Sequence, residues 1–187
     1  MPTLFHTFTQ HWPWLLSFIL IVAAVIDGWL LKVPNWLTLP LVFSGWAAYA
    51  WYSGFSTDHG LAWSMSGTLV GLGLLLPAYL IGGMGAGDVK LMGGIGAWIG
   101  ATATLYAFCV CAVIGGVIAV AMAFFSGQWR HHVQQFFAIV QEILSIRNPD
   151  TLSAIAAGRK SSMRLLPYGI PITLGTIAYF FWNGMLI

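Results

Sequence analysis

Five acidic residues occur in this 187-residue chain, and their surroundings divide them. Asp58, Glu142 and Asp150 stand in polar stretches, where water solvates them. Asp27 is embedded in Ala23-Ala24-Val25-Ile26-Asp27-Gly28-Trp29-Leu30-Leu31, and Asp88 ends the glycine-dense run Gly82-Gly83-Met84-Gly85-Ala86-Gly87. An Asp near the centre of a membrane helix costs about 2.5–3.5 kcal/mol on insertion scales, and less near the interface. Each of these two therefore needs a reason to be where it is. Two carboxylates that meet cannot both ionise cheaply. They share a proton, so that one can act as base on a water while the other acts as acid towards a substrate. That is aspartic peptidase chemistry, which uses no metal, no cofactor and no nucleophilic Ser or Cys. The residue types alone also admit a structural hydrogen-bonding role, or a proton or ion path through a membrane.

Other catalytic signatures are missing from the sequence. There is no His-Glu-x-x-His, no Gly-x-Ser-x-Gly and no Gly-x-x-x-x-Gly-Lys. The glycine run does not match Gly-x-Gly-x-x-Gly, because Asp88 and Lys90 interrupt it, so a dinucleotide fold is excluded. Cys109 and Cys111, two residues apart, point to different faces of a helix and read as small packing residues. Asp88 begins a helix, where the positive dipole end favours a carboxylate, whereas Asp27 is near the end of its own. The expectation is that Asp88 ionises more readily, within a pair that titrates as a unit.

The elements that must position these residues follow from composition. Of the chain, 59% is hydrophobic and 6% is charged, against about 25% charged in a soluble domain. Too few charges are present to cover a water-facing surface, so the expected fold class is an all-α integral membrane protein. A net charge of +2, with no patch that combines aromatic and basic residues, argues against nucleic acid as a partner. With roughly 20 apolar residues per crossing, this length holds about five to seven helices, in a single membrane-embedded domain over 1–187. The first residues lack the Lys or Arg of a secretory signal, so the first apolar segment is expected to stay as an anchor.

Six apolar segments can be read, at about 14–31, 36–52, 61–81, 88–100, 102–125 and 167–187. The first ends at Lys32-Val33-Pro34-Asn35, whose proline breaks a helix. Gly67 with Gly71, and Gly96 with Gly100, have the spacing of close helix contacts. The Gly83–Gly87 stretch reads instead as site, because glycines let backbone approach a bound peptide. A polar loop at about 127–166 carries Val133, Phe136, Phe137, Val140, Ile143 and Leu144 at helical spacing. This pattern predicts an amphipathic helix around 130–146, lying on the inner membrane surface or packed on other loops. Arg130, His131 and His132 there read as an interfacial anchor. With both termini outside, Lys32, Lys90, Arg130, Arg147, Arg159, Lys160 and Arg164 all fall inside, as the positive-inside rule expects. Asp27 and Asp88 then lie at the inner ends of their helices, at similar depth.

Three motifs now stand in order. Gly85-Ala86-Gly87-Asp88-Val89-Lys90-Leu91 resembles the Gly-x-Gly-Asp motif of the type IV prepilin peptidases, with the Lys-Leu that follows it. Asp27 with Val33-Pro34-Asn35 resembles their first aspartate and the Ile-Pro-Asn element downstream. Leu166-Pro167-Tyr168-Gly169-Ile170-Pro171 resembles the segment that opens their last helix. The resemblance implies that Asp27 and Asp88 are the catalytic pair. It implies that Pro34, Asn35, Gly85, Gly87, Lys90, Pro167, Tyr168 and Gly169 form the site around the substrate. The implied partner, besides the lipid bilayer, is a prepilin, with a basic leader and a hydrophobic helix behind it. The cut would fall on the cytoplasmic side of a bacterial inner membrane, with no metal or cofactor. The Cys-x-x-Cys pairs of the larger, methylating members are absent, so the chain resembles the short, peptidase-only form of tight-adherence (Flp) pilus systems. Gly28-Trp29-Leu30-Leu31-Lys32-Val33 departs from the family, which has several polar or basic residues there. Among other Gly-x-Gly-Asp proteases, a preflagellin-like enzyme fits more closely than a presenilin-like one, since Asp27 follows Ile26 and no Pro-Ala-Leu is present. A small transporter using Asp27 and Asp88 as a relay would show internal repeats, and none is visible.

Overall fold

The computed structural model describes residues 2–55, 59–80, 83–125 and 167–186. The polar loop at 127–166, with its expected amphipathic helix and its five basic residues, lies outside the described residues. Among the described residues the fold is all-helical: α1 (Pro2–Leu30), α2 (Asn35–Ser53), α3 (Leu61–Leu80), α4 (Ala86–Phe125) and α5 (Gly169–Trp182). Three stretches, His11–Leu30, Leu61–Leu80 and Ala86–Met122, are long and apolar enough to cross a membrane, and Gly169–Trp182 is a shorter apolar helix.

Two boundaries show how apolarity and helicity differ. Helix α1 starts at Pro2, well before the apolar segment at Trp14, because no glycine interrupts the residues between Pro2 and Pro13. The fourth and fifth apolar segments are two arms of α4, joined at Gly100, which has φ 74° and ψ 173°. Buried backbone carbonyls beside such a break need hydrogen-bond partners, and hydroxyls supply them here. Ser64 donates to the Ala97 carbonyl (2.5 Å), Tyr49 to that of Trp98 (2.9 Å) and Thr104 to that of Gly100 (2.6 Å). The Trp63 indole covers Gly100 so closely that a Cβ there would overlap the ring.

The first arm of α4 is the core. Residues 91–100 are buried on every side, as a helix that is apolar all round requires. Helix α3 crosses it with backbone against backbone: a Cβ at Gly67 would fall on the Gly96 carbonyl, and one at Gly71 on the Met92 carbonyl. On another side α2 packs through Leu41, whose side chain lies against Gly94 and whose carbonyl accepts the Trp98 indole N–H (3.0 Å). Helix α5 also packs on α4, where Gly175 lies against Cys111. It joins α1 through Thr173, which donates to the Leu20 carbonyl (2.9 Å).

Helix α1 turns Leu16, Leu20, Ala23 and Asp27 inward, while Trp14, Phe18, Ile21, Val25 and Trp29 are exposed. Large apolar side chains on the outside and a carboxylate within suit lipid as the solvent.

Candidate active site

The turn after α1 sets the geometry of one end of the bundle. The Asp27 carbonyl accepts the last helical bond from Leu31 (2.8 Å), and Leu31 adopts a left-handed φ of 51°. That conformation costs a non-glycine residue about 1–2 kcal/mol, but it ends α1 at Leu30, three residues after Asp27. The chain then passes through buried Val33 to Pro34, the extended N-cap of α2 (φ −74°, ψ 148°). Pro34 presents its carbonyl to the N–H groups of Leu37 and Thr38.

The start of α4 is laid on this turn. A Cβ at Gly87 would stand 2.5 Å from the Val33 carbonyl oxygen and 3.0 Å from its nitrogen, so only glycine allows the approach. Three residues on, Lys90 Nζ donates to Asn35 Oδ1 (2.9 Å). The Lys of one motif thus clasps the Asn of another.

Asp88 is the third residue of α4 and is 6% exposed. Its Oδ2 accepts the Gly85 N–H (3.3 Å), while its own N–H donates to the Gly85 carbonyl (3.2 Å). This is the carboxylate half of a capping box, with an acid reaching back to the helix start.

Asp27, 3% exposed, is held by the start of a different helix. Its Oδ2 accepts the N–H of Gly169, the first residue of α5, at 2.8 Å. A Cβ at Gly169 would stand 2.9 Å from both Asp27 Cβ and Oδ2. The preceding residue, Tyr168, is half-buried. Pro167 begins the same turn, its carbonyl accepting the Ile170 N–H (3.2 Å). The start of α5 therefore holds Asp27, while the turn after α1 seats the start of α4 that carries Asp88.

All ten residues singled out in the sequence gather at this end of the bundle. Lys90 and Asn35 bond each other. The helix-end asymmetry expected for the aspartates is offset, because Asp27 also receives an N–H from a helix start, that of α5. What the arrangement offers is a pair of buried acids beside glycine backbone, where an extended peptide could lie and a water could be activated.

One feature of the site was not anticipated from sequence. An apolar cleft of about 320 Å³ opens beside Tyr168 and Met84 and runs past Met92, Leu75 and Phe108. Its small-residue wall, Ala112, Gly115, Gly116 and Ala119, recurs at helical spacing and was the only sign of it in the sequence. Cys111, read as a packing residue, is buried and lies with its Sγ 3.3 Å from the Ile172 carbonyl.

The model of the type IV leader peptidase family matches residues 14–120, more than half of the chain and a span that includes both aspartates. No curated protein and no solved structure matches.

Proposed function

The chain belongs to the type IV leader peptidase family, and from that premise we propose that it is a membrane aspartic endopeptidase that removes the leader from Flp-like type IV prepilins. The observation that carries this reading is where the two buried carboxylates lie: Asp27 is in the last turn of α1, and Gly87, the neighbour of Asp88, is seated on Val33 in the turn that follows. In the reaction, the ionised member of the pair takes a proton from water as the water oxygen attacks the scissile carbonyl. The protonated member gives its proton to the carbonyl oxygen. The tetrahedral intermediate then collapses: one member gives its proton to the leaving amine as the C–N bond breaks, and the other takes a proton back from a hydroxyl of the intermediate. Six crossings, formed by α1, α2, α3, the two arms of α4 and α5, would leave both termini outside. The end bearing Asp27, Asp88, Lys32 and Lys90 would then face the cytoplasm of the bacterial cell.

The remaining site residues take supporting roles. Gly85, Gly87 and Gly169 keep backbone close to the carboxylates. Pro34, Asn35, Lys90 and Pro167 fix the turns that carry them. No methyl transfer is assigned.

Mass spectrometry of a prepilin incubated with the purified chain, with S-adenosylmethionine present, tests the reading. The expected products are the free leader and an unmethylated mature pilin. A methylated N-terminus would contradict the peptidase-only assignment, and failure to release the leader would contradict the substrate.

A further inference from the structure

We infer that the apolar cleft beside Tyr168 is the docking groove for the hydrophobic segment that follows the scissile bond of the substrate. This rests on the leader-peptidase reading and deepens it. The cleft is continuous with the site: Tyr168, whose neighbour Gly169 bonds Asp27, lines it together with Met84. From there it passes Met92, one helical turn along α4 from Asp88, and continues to Leu75 and Phe108. A chain cut at the carboxylates and continuing along the cleft would run from the basic end of the bundle towards its middle. The lining named here is apolar, so the occupant is an apolar stretch of peptide rather than a charged leader.

The cleft also has a route to lipid. A second apolar hollow, of about 590 Å³, shares Ala112 and Gly116 with it and continues along the second arm of α4 to Phe124 and Phe125. A segment already lying in the bilayer could enter sideways through this face, without leaving apolar surroundings.

Gly116 supplies the test. It lines both hollows, and a Cβ built on it meets nothing within 4 Å. A side chain there can begin without clash, so Gly116→Phe adds bulk where the two hollows meet. Gly73 is the control: it is exposed on α3, a Cβ there also meets nothing, and it lines neither hollow. Cleavage of an Flp-type prepilin would be measured in membranes at equal enzyme abundance, for wild type, Gly116→Phe and Gly73→Phe. The expected result is a fall in kcat/KM of about tenfold or more for Gly116→Phe, the scale of an overpacking conflict, carried mainly by KM. Gly73→Phe should cleave as wild type does. A photoreactive residue replacing Ala119 should cross-link the prepilin through its hydrophobic segment and not through its leader. Full cleavage by Gly116→Phe, or cross-linking to the leader alone, would overturn the groove and leave the peptidase reading standing. No cleavage by the wild type would overturn both.

Discussion

Gly169 shows how narrowly the site is built at the scale of single residues. Its N–H bonds Asp27, and the absence of a Cβ is what lets the two approach. Gly169→Ala should therefore displace the Asp27 carboxylate while leaving α5 helical. Misplacement of a reacting group by about 1 Å can cost about 10²-fold, so kcat should fall by up to that factor with KM changing less. A wild-type kcat in a steady-state assay would contradict the role given to this contact. Lys90 and Asn35 make a separate prediction. Because they bond each other, Lys90→Met and Asn35→Ala should each reduce cleavage, and the double variant should lose no more than the worse single one. Fully additive losses in a double-mutant cycle would mean that the two act independently. At this scale the sequence was informative because carboxylates, Pro-Asn and Lys are rare in apolar surroundings, where each needs a local reason. The cleft was not legible. Leu75, Met92 and Phe108 are the same residue types that face lipid elsewhere, and only the packing of three helices separates the two uses.

Among the elements, α4 decides the architecture. Its break at Gly100 divides a mostly buried arm from a largely exposed one, and hydroxyls from α2 and α3 reach the carbonyls beside the break. Gly100→Ala combines a positive φ with overlap on the Trp63 ring, so the detergent-solubilised protein should unfold at a clearly lower temperature than wild type. Gly67→Leu should be at least as damaging, because its side chain would have to displace the Gly96 carbonyl. An unchanged unfolding midpoint in either variant would contradict the described crossing. The crossing was visible as glycine spacings, since close helix approach depends on small residues, and the break as the boundary between the fourth and fifth apolar segments. The true start of α1 was not. Apolarity marks where a helix suits lipid, whereas its extent depends on where the backbone is interrupted.

For the whole molecule, the arrangement of charge is the strongest regularity. Lys32 and Lys90 lie at the same end as the two buried aspartates, opposite the aromatic cluster in which Trp12 stacks on Trp98 at 5.8 Å. With six crossings, a phosphatase fused after Ile187 should be active and a fluorescent protein fused there dark. The reverse pattern would place the carboxylates on the other side of the membrane and remove the cytoplasmic reading. The all-helical class followed from a chain with too few charges to face water. The expected pairing of Asp27 with Asp88 followed from motif order, whereas the hold of Gly169 on Asp27 and the seat of Gly87 on Val33 became visible only in three dimensions.

The most direct test of the central claim is leader removal in cells that co-express the chain with an Flp-type prepilin, followed by gel shift. Asp27→Asn and Asp88→Asn keep the shape of each side chain and remove the shared proton. The account predicts cleavage by the wild type and none by either variant at equal membrane abundance. Cleavage that persists in either variant would mean that the buried pair is structural or a relay, and not the catalytic dyad.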